Sequence, residues 1–130
     1  MNRVIKTTIN GTEYVLNFSV NAAEAMIQRY GTLEKIQDAL VTSKENKREI
    51  TDIIKEVAWM IELLSREGAK YHYLVDGTEY HEISEETVML MPLMDVLELR
   101  APVLNAIAAG MMPTVEVKPD KKNEETETEK

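Results

Sequence analysis

His72, His81 and Glu79 are the residues whose types and spacing come nearest to a chemical site. If residues 70–83 form a β-hairpin around Asp76-Gly77, His72 faces His81 across the ladder and Glu79 sits diagonal to His81. Two imidazoles and a carboxylate on one hairpin face are metal-ligand types. Two ligands on one hairpin do not make a site, so the plainer reading is a pair of neutral, half-exposed histidines. Glu85 and Glu86 are adjacent, and neighbouring carboxylates on a helix point in different directions. They fit the positive start of a helix better than acid–base work. The chain has no Cys, no Gly-x-Ser-x-Gly elbow, no Gly-rich phosphate loop and no His-Glu-x-x-His. No catalytic residue, metal site or cofactor is expected, and an enzyme is the last reading to hold.

The methionines offer a different chemistry. Five of the eight, Met89, Met91, Met94, Met111 and Met112, fall near the C-terminal end. Met is unbranched and adaptable, and clusters of it serve surfaces that accept varied apolar partners. A Met-lined groove takes an amphipathic helix, whereas the same residues also serve as ordinary core filling. Trp59, Met60, Met89, Met91, Met94 and Leu97 are the candidate partner-binding residues.

Bulk properties narrow the classes. The 130 residues fit one domain with a core of its own, and lack of Cys excludes disulfides. Met1-Asn2-Arg3 is not followed by an apolar run, so no secretory signal is expected. The segment Val88 to Leu99 is broken by Pro92, Asp95 and Glu98, too polar and short to span a bilayer. A net charge of −8 argues against nucleic acid and against an anionic membrane surface.

The elements that would position these residues follow from local pattern. Gly-Thr-Glu-Tyr occurs twice, at Gly11–Tyr14 and Gly77–Tyr80, after Asn10 and Asp76. Asn-Gly and Asp-Gly favour two-residue type I′ turns, so two hairpins are expected, at 3–18 and 70–83. The first sets Ile5, Ile9, Tyr14, Leu16 and Phe18 on a buried face and Lys6, Thr8, Glu13 and Asn17 on a wet one. In the second, Tyr73 faces Tyr80. Four shared residues reflect one turn physics found twice rather than a repeat.

Helices fill the rest. Ser19 or Asn21 caps the first, whose stripe is Ala23, Met26, Ile27 and Tyr30, and Gly31 ends it. Thr32 caps the second, with Leu33, Ile36 and Leu40 inward. Residues 42–48 read as a polar loop. Ile50, Ile53, Ile54, Val57, Ile61 and Leu64 define a long helix, with Trp59, Met60 and Leu63 off that stripe, so it is central in the fold or else partly covered by a partner, the first being the plainer reading, and Gly68 ends it. Ser84 caps a short helix, Pro92 interrupts, another starts near Leu93, and Pro102 breaks or bends it. Val103, Leu104 and Ile107 carry an apolar face up to Gly110. Residues 113–130 have almost nothing to bury and read as a disordered charged tail behind a single α+β domain at 1–112. The fold class is thus α+β, a β-hairpin packed on a helical body.

The opening, Val4-Ile5-Lys6-Thr7-Thr8-Ile9-Asn10-Gly11-Thr12-Glu13-Tyr14-Val15-Leu16-Asn17-Phe18-Ser19-Val20-Asn21-Ala22-Ala23, resembles the start of tail assembly chaperones from long-tailed phages and prophages. That family opens with a short I-N-G-x-E-Y-x-L-x-F hairpin leading into an amphipathic helix, then a helical body and an acidic tail. The resemblance covers the first quarter of the chain most strongly. It implies a non-enzymatic protein of the bacterial host cytoplasm. Such a protein binds the tape measure protein, a long helical chain, and keeps it soluble during tail assembly, with the tail tube protein as a further candidate partner. The family is usually absent from the finished particle. A homo-oligomer is compatible with it, and Lys121-Lys122 is compatible with a frameshifted longer product. Other phage structural roles, such as a tail-completion or connector subunit, and a small protein-binding regulator are the competing readings.

Overall fold

The computed structural model describes residues 4–41 and 49–112. The expected loop at 42–48, the tail at 113–130 and the first three residues lie outside the described residues.

Two strands open the chain, β1 (Val4–Ile9) and β2 (Thr12–Asn17), paired antiparallel in the expected register, with Ile5 opposite Leu16, Thr7 opposite Tyr14 and Ile9 opposite Thr12. Asn10 and Gly11 both take positive φ, 52° and 81°, which is what a type I′ turn demands. A two-stranded hairpin is marginal alone, and here it is packed on a mostly helical body. The hairpin's second face is wet only in part. Lys6, Thr8 and Glu13 are exposed, but Val15 and Asn17 are buried, because a helix lies against β2 at Val15.

The helices are α1 (Val20–Tyr30), α2 (Leu33–Asp38), α3 (Ile50–Asp76), α4 (Glu85–Val88), α5 (Leu93–Glu98) and α6 (Arg100–Met111). Ser19 takes the α1 N-cap and accepts from the Ala22 N–H at 3.1 Å. Asn21 lies inside α1 and its amide donates to Glu67 instead. Ala22 and Met26 are the buried α1 residues, while Ile27 is exposed. Thr32 caps α2, with Ile36 and Leu40 buried and Leu33 exposed.

Helix α3 is the spine, roughly 40 Å long at 1.5 Å per residue. Ile53, Ile54, Val57, Ile61 and Leu64 are buried, and so are Met60 and Leu63 from the adjoining side. Two expectations fail here. Gly68 does not end the helix, which runs eight residues further to Asp76. There is no second hairpin at 70–83: Gly77, at φ 75°, is the left-handed cap of α3, and Thr78 donates its backbone N–H to Asp76 Oδ1 at 3.0 Å. A hairpin there would have been a two-stranded ribbon of its own, whereas extending a formed helix adds one hydrogen bond per residue fixed. Residues 77–84 run back along α3 as a strap. Tyr80 packs on His72, not Tyr73, with ring centroids 5.0 Å apart. The Ile83 N–H donates to Ser65 Oγ at 3.2 Å, and Ile83 is buried.

Ser84 caps α4, and Pro92, with φ −58°, occupies the N-cap of α5. The break between α5 and α6 falls at Leu99, three residues before Pro102. Pro102 therefore sits in the first turn of α6, where a missing N–H costs least. Val103 and Ile107 are buried and Leu104 half-buried, as the apolar face requires. Among the described residues no helix is long and apolar enough to cross a membrane.

Candidate partner-binding surface

The strap and α4 are tied down by polar groups of α3. Glu62 Oε1 accepts the Glu85 N–H at 2.6 Å, so a carboxylate caps the positive end of α4. Ser84 Oγ accepts the Thr87 N–H at 3.1 Å. One turn later the Leu90 and Met91 N–H groups close on the carbonyls of Thr87 and Val88 at 3.1 and 3.0 Å. Pro92 has no N–H to continue the helix, so the chain turns a corner into α5. Val88 on one side, and Val96 and Leu97 on the other, are buried and pin both short helices to the body.

Between those anchors only Met91 packs against the core. Met89, Leu90, Leu93 and Met94 are 41%, 84%, 47% and 61% exposed, within six consecutive residues. Met91 turns inward, half-buried, and lines a cleft of about 300 Å³ with Thr7, Ile9, Asp95, Leu99 and Pro102. Scattered exposed apolar side chains are ordinary, whereas four long, flexible ones within six residues make this corner the candidate docking surface.

The candidate residues therefore divide. Met89 and Met94 belong to the exposed corner, and Met91 borders it. Leu97 is buried beneath, and one side of it, with Leu40, Val41, Ala101 and Leu104, lines a second apolar cleft of about 480 Å³. Arg100 fixes that side by donating to the Leu97 carbonyl at 3.2 Å and the Leu40 carbonyl at 3.1 Å. Met60 is fully buried in the core and presents nothing to a partner in this conformation. Trp59 is half-buried and engaged by α1: Tyr30 meets its ring edge-on at 5.9 Å, and the Arg29 guanidinium lies 4.4 Å from its centroid. Leu90 and Leu93 were not among the expected residues. The signal for them was Pro92, which prevents one continuous helical stripe from turning both flanks inward.

Two polar clusters stand apart from the corner. At the start of α1, Glu67 is buried and accepts from Ser19 Oγ at 2.6 Å, with Lys70 Nζ at 3.7 Å. At its end, Glu56 Oε1 accepts from Tyr30 Oη and from Arg29 Nε at 3.0 Å. Burial, together with the Glu56 carboxylate, raises the Tyr30 pKa well above its usual value. Arg29 loses hydration there, yet the bond to Glu56 raises its pKa overall.

His72 and His81 do not face one another, because one is on α3 and the other on the strap. His72 Nδ1 instead meets Asp76 Oδ2 at 3.1 Å, and its ring stands between Tyr71 and Tyr80. The Thr78 backbone N–H, then the Thr78 hydroxyl and His72, hold the Asp76 carboxyl below its usual range. Among the described residues no three His, Asp or Glu gather in a group that could hold a metal ion. Comparison with protein-family models, with curated proteins and with solved structures yields no match to this chain.

Proposed function

We propose that this protein is a phage or prophage tail assembly chaperone, acting in the bacterial host cytoplasm, that binds the helical tape measure protein and keeps it soluble. The observation that carries the reading is the corner between α4 and α5, where Met89, Leu90, Leu93 and Met94 stand exposed on a frame tied to α3 through Glu62. A holdase for a long amphipathic helix needs an apolar surface that adapts to many local sequences, and thioether and leucine side chains supply one. Its own apolar surface must not drive self-association, and a net charge of −8 opposes that. The opening hairpin, Ile9-Asn10-Gly11-Thr12-Glu13-Tyr14-Val15-Leu16-Asn17-Phe18, adds the resemblance to the family.

Co-expression tests the function. A tape measure protein encoded beside this chain's gene is expected to be insoluble alone and soluble, in a complex, with it. A tape measure protein that stays insoluble in its presence, or that needs no help, contradicts the proposal. Mass spectrometry of purified particles separates the chaperone, absent from virions, from a tail-completion or connector subunit, which remains.

A further inference from the structure

The stretch from Tyr71 to Leu99 carries seven carboxylates and not one Lys or Arg. It contains the whole exposed corner, with Glu85 and Glu86 on the α4 side and Asp95 and Glu98 on the α5 side. Glu86, Asp95 and Glu98 are exposed and make no ion pair among the described residues. The cations nearest in sequence are engaged by groups other than these three carboxylates. Arg66 bonds Glu62 at 3.4 Å, Lys70 pairs with Glu67, and Arg100 is held by backbone carbonyls. An apolar patch bordered, among the described residues, mainly by carboxylates that make no ion pair is selective about what covers it. A second copy would bring carboxylates against carboxylates, and like charges at an interface cost affinity and slow encounter.

We infer that the corner accepts an amphipathic helix whose apolar stripe is flanked by Lys or Arg, and that it disfavours self-pairing and acidic helices. The inference rests on the chaperone reading of the same surface and adds to it the sign of the partner's charge. The apolar side chains supply contact area, and the rim selects which helices of a long partner are held.

Two synthetic helical peptides test it, sharing one Leu/Met stripe and flanked by Lys in one and by Glu in the other. Each is titrated into the full chain, at salt of about 50 mM and about 500 mM, across which the screening length falls several-fold. The Lys peptide is expected to bind, and to weaken about tenfold or more at high salt, while the Glu peptide binds at least about tenfold more weakly at low salt. The triple variant Glu86→Gln, Asp95→Gln, Glu98→Gln should narrow the gap between the peptides. Leu90→Glu should abolish binding of both, with circular dichroism confirming the fold. If both peptides bind equally at both salts and Leu90→Glu abolishes that binding, the docking surface stands and the charge selection is overturned. If neither peptide binds, or Leu90→Glu changes nothing, the surface itself is refuted and the selection with it.

Discussion

Gly68 of α3 lies against the backbone of Val15 in β2, so closely that a Cβ at position 68 would stand 1.9 Å from the Val15 carbonyl oxygen. A glycine that usually marks a helix end here permits a helix to continue. The spine approaches β2 at the one residue where no side chain intervenes. Gly110 plays the same part for α6, where a Cβ would stand 2.4 Å from the Phe18 carbonyl oxygen. Close approach of both helices fixes the hairpin, and with it the frame from which α4 and α5 hang.

Gly68→Ala should therefore destabilise the protein. Helix propensity alone would favour Ala by about 1 kcal/mol. The clash with backbone outweighs it, and a net loss of about 2–3 kcal/mol is expected in urea unfolding, typical of forced overpacking. A variant as stable as the parent would mean that α3 does not pack on Val15.

Ser19 and Glu67 form a coupled pair across α1 and α3, with the hydroxyl donating at 2.6 Å while it also accepts the Ala22 N–H. Ser19→Ala should cost about 1 kcal/mol for the lost cap and roughly 1–3 kcal/mol more for a buried carboxylate left short of a donor. In a double-mutant cycle with Glu67→Gln, a coupling energy of about 1 kcal/mol or more is expected, since the two groups share one network. Additive effects would show that the contact carries no energy.

Tyr30 makes the alkaline limit of stability specific. Its folded pKa is raised by burial and by Glu56 above the ordinary 10.0. A raised folded pKa contributes stability fully below the unfolded value and loses it as pH climbs toward the folded one. Tyr30→Phe should cost about 1–2 kcal/mol at pH 7 through the hydrogen bond lost to Glu56. Above about pH 10 the gap between parent and variant should narrow, because only the parent must keep a phenol protonated. Thermal unfolding at pH 7, 9 and 11 reads the gap, and a constant or widening gap contradicts the assignment.

The legibility of this fold divides along the range of its interactions. Asn10-Gly11 dictates its own turn, and the spacing from Ile53 to Leu64 dictates a helix. Asp76-Gly77-Thr78-Glu79-Tyr80 carries nearly the same turn signal as Asn10-Gly11-Thr12-Glu13-Tyr14 but caps a helix instead. Positive φ at glycine serves both geometries. What decides between them is distant: Ser65 and His72 receive the strap, and no strand-to-strand pairing is offered in return. The His72–His81 pairing fell with that hairpin. The methionine-rich end was visible as composition, but which members face outward depended on Val88 and Val96 anchoring either side of Pro92. Met60, off the main helix stripe, was open to either a partner or the core, and it is the core that covers α3 on that side.

Leu90 and Met94 sit at the centre of the functional account, and their exposure makes them clean probes. Leu90→Glu with Met94→Glu should leave thermal stability nearly unchanged, within about 0.5 kcal/mol per site, as for surface positions without buried partners. The most direct measurement is calorimetric titration of this double variant and the parent with purified helical fragments of the tape measure protein. The account predicts tight association for the parent and none for the variant at the same concentrations. Equal binding by both proteins would contradict it.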